Sequence, residues 1–226
     1  MQYSIISIGA MSANDLWGER TPVRTGHATT TLIRSGDTVI LVDPGLPEPA
    51  VVARLGERAG LRPDAVTHVF LTSFQADTLR GIRAFDHATW WIGSQEREAV
   101  GVPLAQELKK AAQEADEETV GMYETQVAAL RRCEPVPDRL AERVDLFPMP
   151  GATPGLCGLL LADTRHTVLI CGDAVPTLEH LAKGRVHPDC FDPDRARESF
   201  TEAVEIADLL VPGRDNMGPN PTRRPF

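Results

Sequence analysis

Hydrophobic and polar positions follow two rhythms along this chain. Residues 4–8, 29–33 and 38–42 are short β-branched runs and read as strands. Ser35-Gly36-Asp37 between the last two is a hairpin signal. After the Asp43-Pro44-Gly45 loop, residues 49–59 change to helical spacing, with Val52, Leu55 and Ala59 on one face and Gly60 as a C-terminal cap. Residues 67–71 predict a buried strand, followed by a polar loop and a short helix over 77–85. Residues 87–92 predict another strand, in which alternation sends one of Trp90 and Trp91 inward and the other outward. The longest helical signal covers 103–132, where Leu104, Leu108, Ala111, Tyr123, Val127 and Leu130 recur at three- and four-residue steps. Gly121 is expected to divide it.

Strands are predicted again over 144–147, 156–161 and 167–171. Asp192 before Pro193 marks a helix start, continued by an apolar face of Ala196, Phe200, Ala203 and Ala207. Residues 209–211 form a last strand, and the tail 213–226, rich in Pro, Asn and Arg, reads as irregular. Each half runs strands and then helix, with no internal repeat and no linker. This predicts a single α+β domain over 1–226, with paired sheets inside and helices outside.

Composition narrows the function classes. The 226 residues carry 23 Lys plus Arg against 32 Asp plus Glu, a net charge of -9. An acidic chain of this kind argues against a nucleic-acid partner. No run of about 18 apolar residues offers a membrane-spanning helix. The opening MQYSIISIGAMSAND has neither a basic start nor an A-x-A cleavage site, so a cytoplasmic location is expected. The four cysteines form no C-x-x-C pair, and Cys157 and Cys171 lie in apolar runs that place them in the core. Histidine is scarce, at 6.

Chemistry concentrates in loops that follow strands, and five of these stand out. They are LVDPG (41–45), FLTSFQADTLRG (70–81), MPGATPG (149–155), LICGDAV (169–175) and LLVPGRDN (209–216). Their order and spacing resemble the metallo-β-lactamase superfamily, whose signatures read V-D-x-G, T-H-x-H-x-D-H-x-G-G, P-G-H-T-x-G, G-D-A and P-G-H. The resemblance runs from the strand at residue 29 to Arg214. It implies a four-layer αββα sandwich of hydrolase type.

The same resemblance implies a dinuclear metal site at positions whose residues have changed. The histidines of the first metal would fall on Ser73, Gln75 and Ala152. The second metal would take Asp77, Thr78 and Arg214, with Asp173 bridging the pair. Only Asp77 and Asp173 keep their type. Zinc needs imidazole, thiolate or carboxylate ligands; alanine has none, hydroxyls and amides are weak, and arginine is a permanent cation. No zinc or other divalent cofactor is therefore expected at the family positions, and Arg214 is expected to pair with Asp77, Asp173 or both. Asp43 is expected to brace its loop from behind the site.

Other candidates remain open. His27, just before the 29–33 strand, would overhang the pocket. His187-Pro188-Asp189-Cys190 is the one local cluster of metal-ligand types, on the expected rim, and would be the place for a relocated metal through His187 and Cys190. Ser73 would act as a nucleophile only with an adjacent base. The 103–132 insert is expected to lie on the pocket side and to influence ligand choice or oligomer formation. Two functions follow: a metal-free, non-catalytic protein holding a small molecule or protein partner, or a hydrolase of esters, thioesters or lactones with a reduced, relocated or absent metal.

Overall fold

The computed structural model describes residues 1–222. Its first sheet comprises β1 (Gln2–Ser7), β2 (Thr30–Ser35), β3 (Thr38–Val42), β4 (His68–Leu71), β5 (Thr89–Ile92) and β6 (Glu134–Pro135), in that order across the sheet. The β1–β2 and β2–β3 pairs are antiparallel, whereas β3 to β6 run parallel. Parallel neighbours need crossover connections, here supplied by α1 (Glu48–Ala59), by a segment with the 3-10 turn Ile82–Phe85, and by the pair α2 (Ser94–Gln113) and α3 (Glu117–Arg132). The second sheet comprises β7 (Arg139–Ala141), β8 (Val144–Pro148), β9 (Cys157–Ala162), β10 (Thr167–Gly172), β11 (Leu209–Pro212) and β12 (Gly218–Pro219). Its order is β12-β11-β10-β9-β8-β7. Helices α4 (Leu178–Lys183) and α5 (Pro193–Ile206) connect β10 to its parallel neighbour β11.

Strand alternation sorts the side chains into three apolar layers. Leu32, Leu41, Val69 and Leu71 pack outward with Val51 and Leu55 of α1. Their neighbours Ile33, Ile40, Val42 and Phe70 point the other way and meet Val144, Leu159, Val168 and Ile170 of the second sheet. Leu169, Cys171 and Leu210 face away from that seam toward Leu181 of α4 and Phe200 and Ala203 of α5. Three apolar layers separating helix, sheet, sheet and helix make the αββα sandwich.

Local signals place the helices as expected at α1 and α5. Gly60 caps α1 in the left-handed conformation. Asp192 accepts hydrogen bonds from the backbone N–H groups of Asp194 and Arg195, with Pro193 in the first turn. Trp90 is buried and donates its indole N–H to the Phe85 carbonyl, while half-buried Trp91 stacks on His68. Cys133, Cys157 and Cys171 are buried thiols.

The 103–132 segment differs from its prediction in three ways. Its first helix begins at Ser94 and carries Pro103 inside. The break falls at Ala115, which takes a positive φ of 54°, and Asp116 then caps α3 by accepting from Thr119. Gly121 stays within α3. An interior glycine costs about 1 kcal/mol against alanine, and an Asp cap followed by Glu117 and Glu118 at the positive end of the helix dipole offsets that cost. The hairpin also lies over the outer face of the first sheet, where Leu104, Leu130 and Cys133 pack with Phe85 and Trp90.

The tail is more regular than expected. β12 pairs with β11, and buried Asn220 donates to the Val204 and Ala207 carbonyls at the end of α5. Residues 223–226 of the predicted irregular tail lie outside the described residues. Among the described residues no helix is long and apolar enough to cross a membrane.

Candidate functional site

Loops at the ends of β4, β10 and β11 bring Asp77, Asp173 and Arg214 together. Close backbone approach makes this placement achievable. A Cβ on Gly213 would lie 2.5 Å from Asp173 Oδ1 and 2.6 Å from the Gly172 carbonyl carbon, so only glycine fits. Gly172 itself takes φ of 51° against the Thr72 side chain. The Gly213 N–H donates to the Gly172 carbonyl and the Arg214 N–H to the Pro176 carbonyl, at 2.9 and 2.8 Å.

The Arg214 guanidinium then grips both carboxylates. Its Nε and Nη2 donate to Asp173 Oδ1 and Oδ2 at 2.9 and 2.7 Å, a bidentate fork. Its Nη1 donates to Asp77 Oδ2, and Nη2 reaches Asp77 Oδ1 at 3.2 Å and Gln75 Oε1 at 3.1 Å. Arg214 is only 8% exposed. Burial alone pushes the Asp173 carboxyl up, but the Arg214 charge and hydrogen bonds outweigh it and hold Asp173 below its ordinary value. The same pairing raises the Arg214 pKa despite the opposing effect of burial.

The loop behind this cluster is braced on two sides. Thr78 Oγ1 lies 2.9 and 2.8 Å from the Ser73 and Gln75 carbonyls and accepts from the Gln75 N–H, closing the turn. Ser73 Oγ is buried without a hydrogen-bond partner among the described residues. Asp43, at a φ of 47°, accepts from the Thr72 N–H and hydroxyl at 2.9 and 2.7 Å, the loop-bracing contact expected of it. Burial pushes the Asp43 carboxyl up to about 7, against the lowering effect of the Thr72 hydrogen bonds. A carboxyl whose pKa rises on folding binds more protons when folded. Its contribution to stability therefore declines as pH rises from about 4 through 7. Urea titrations across that range should show this decline in the wild type, and Asp43→Asn should flatten it.

Sequence reasoning missed Glu96, which reads as a surface position at the start of a helix. It is 1% exposed and accepts from the Phe74 N–H and the Gly155 N–H, both at 3.0 Å, and from the Thr153 hydroxyl at 2.7 Å. One carboxylate thus ties the loop after β4 to the loop between β8 and β9. No local sequence signal marks it, because both partners are distant in the chain.

A cavity of about 230 Å³ opens beside the arginine, lined by Gln75, Asp77, Ala152, Asp173 and Arg214. His187, Asp189 and Cys190 line it from the α4–α5 loop, and Met11, Ser12 and Ala13 from the loop after β1. The backbone N–H of Asp189 donates to His187 Nδ1 at 3.1 Å, which leaves Nε2 to carry the proton of the neutral ring. The loop after β1 is anchored on α4: buried His180 lies 3.0 Å from Asp15 and 2.8 Å from Thr177, and the Trp17 indole N–H donates to Glu179.

Three expectations do not fit this geometry. His27 does not line the cavity; its ring contacts the Ile8 carbonyl, because a β-bridge to Ala10 holds that segment. Ser73 and Thr78 lie in the loop and do not line the cavity. The α2–α3 hairpin contributes no lining residue, since its apolar face is spent on the first sheet.

The donor set does not suit the family's dinuclear metal. Ala152 offers no ligand atom, and Thr78 is committed to its turn. The Gln75 oxygen and both carboxylates are bound to a guanidinium. Among the described residues no three His, Cys, Asp or Glu side chains converge as metal ligands.

Comparison with known proteins places this arrangement in context. No curated protein matches the chain by sequence. Among solved structures, a metallo-beta-lactamase-type protein of Thermotoga maritima superposes with a TM-score of 0.68 at 19% identity, covering 96% of this chain and 98% of that one. AiiA of B. thuringiensis, solved as a mutant with N-decanoyl-L-homoserine at its active site, gives 0.63 at 19% identity over 94% and 92%. AidC, a dizinc quorum-quenching lactonase, gives 0.62 at 16% identity over 79% and 67%. At such identities these likenesses concern the fold. The model of the metallo-beta-lactamase superfamily matches residues 23–214, and the chain belongs to that superfamily.

Proposed function

We propose that this protein is a metal-independent member of its superfamily that holds a small molecule or protein partner at the old catalytic pocket and does not catalyse hydrolysis. The observation that carries this reading is the Arg214 guanidinium seated between Asp77 and Asp173. It supplies fixed positive charge where the relatives' two-metal site would lie, and it leaves neither carboxylate free to bind a cation. Metal analysis of protein purified without chelator is expected to give substoichiometric zinc, iron and manganese. Stoichiometric metal would overturn the proposal.

A second reading keeps hydrolysis of an ester, thioester or lactone, the last being the class on which the neighbour AidC, a lactonase, acts. It is favoured by the cavity remaining open and by His187 and Cys190 lining it beside Asp173. Generic esters, thioesters and lactones, assayed with and without added zinc or manganese, separate the two. Turnover abolished by Asp173→Ala supports the enzyme, and a flat panel supports the binding protein.

A further inference from the structure

A separate groove lies between α3 and the 3-10 turn Ile82–Phe85, on the side of the first sheet that faces the helices. Its volume of about 450 Å³ falls in the usual range for small-molecule sites, about 300–1,000 Å³. Leu79, Ile82 and Trp90 form one apolar wall, and Thr125, Ala128 and Ala129 of α3 form the other. Gly121 lines the groove, and a Cβ placed there would meet no described atom within 4 Å, so a side chain at this position has open space beside the groove. Glycine is a poor residue inside a helix, and the packing of α3 gives no reason for one here.

The charges on this lining are uneven. Arg132 is committed: it lies 3.9 Å over the Trp90 ring and donates to the Asp86 carboxylate and carbonyl. Arg80 and Arg83 also line the groove and have no hydrogen-bonded or ion-paired partner among the described residues. With Asp86 taken by Arg132, Glu124 is the remaining acid on the lining. With Arg132 and Asp86 paired, Arg80 and Arg83 against Glu124 leave a positive surplus on the described lining of this groove, in a chain of net charge -9. Arginine forks match carboxylates in geometry and charge, and apolar walls match an aliphatic chain.

We propose that this groove binds a medium-chain aliphatic carboxylate, with its chain against Leu79, Ile82 and Trp90 and its head group on Arg80 and Arg83. The proposal is independent of the metal-free reading of the other pocket. Titration calorimetry on the full chain with dodecanoate, below its micelle concentration, is expected to show one site per chain. Dodecyltrimethylammonium, with the same tail and opposite charge, should bind at least about tenfold more weakly.

Gly121→Leu fills the groove with a better helix former and should reduce dodecanoate affinity about tenfold or more, with the fold retained by circular dichroism. Arg80→Glu combined with Arg83→Glu, both at the surface of the groove, should reverse the preference between the two amphiphiles. Absence of dodecanoate binding would overturn the proposal. So would unchanged binding to a folded Gly121→Leu variant, or a charge preference that the double reversal does not move.

Discussion

Arg214→Met is expected to lower the unfolding free energy by about 3–5 kcal/mol, because it leaves Asp77 and Asp173 facing each other with their cation gone. For a chain of this size that corresponds to a fall in melting temperature on the order of 10 °C. Adding Asp77→Asn and Asp173→Asn to the same variant should recover most of the loss, since neutral amides remove the stranded charges. The pH dependence has a definite sign. A carboxyl held below its ordinary pKa in the folded state stabilises above its unfolded value and loses that contribution as pH falls through the folded value. Wild-type stability from Asp173 is therefore lost on acidification below about 4, and the gap between wild type and Arg214→Met narrows in that same acidic range. Urea titrations at several pH values measure it; a gap under about 1 kcal/mol at pH 7 would show that the cluster carries little of the fold.

Glu96→Ala should be of similar size, about 3–5 kcal/mol, for a different reason. It strips the acceptor from two buried N–H groups and one hydroxyl at once, and each buried donor left unmade costs about 1–3 kcal/mol. Glu96→Gln should recover part of this, because its amide keeps one acceptor oxygen while its NH2 opposes a donor. Denaturation gives the energy, and hydrogen exchange locates it. The Phe74 and Gly155 amides should lose protection in Glu96→Ala while amides of the β10–β11 core keep theirs.

Much of the architecture was readable from residue order because strand alternation is a local property. The residues that alternate in 38–42 and 167–171 are the ones that divide between the layers. The cluster of Asp77, Asp173 and Arg214 was also readable, since each follows a strand with a recognisable loop. Glu96 was not, because its role depends on two loops remote in sequence. The helix break at Ala115 was misplaced at Gly121 because glycine looks like a breaker wherever it stands. Here a capping Asp116, followed by acidic residues, decides the boundary. His27 was misplaced because its short distance from a strand says nothing about the bridge to Ala10 that turns it away.

The cysteines described in the core have a practical consequence at the cavity. Burial pushes the Cys133 and Cys157 thiols up to about 11 and the Cys171 thiol higher still. A maleimide acts on thiolate, so burial and the raised thiol values both slow its reaction with these three at neutral pH. Cys190 is half-buried, and it lines the same cavity as Arg214. The unmodified sequence therefore contains its own single-point attachment site. A fluorophore placed there lies on the cavity lining and is expected to respond to a ligand that enters, without first removing any other thiol.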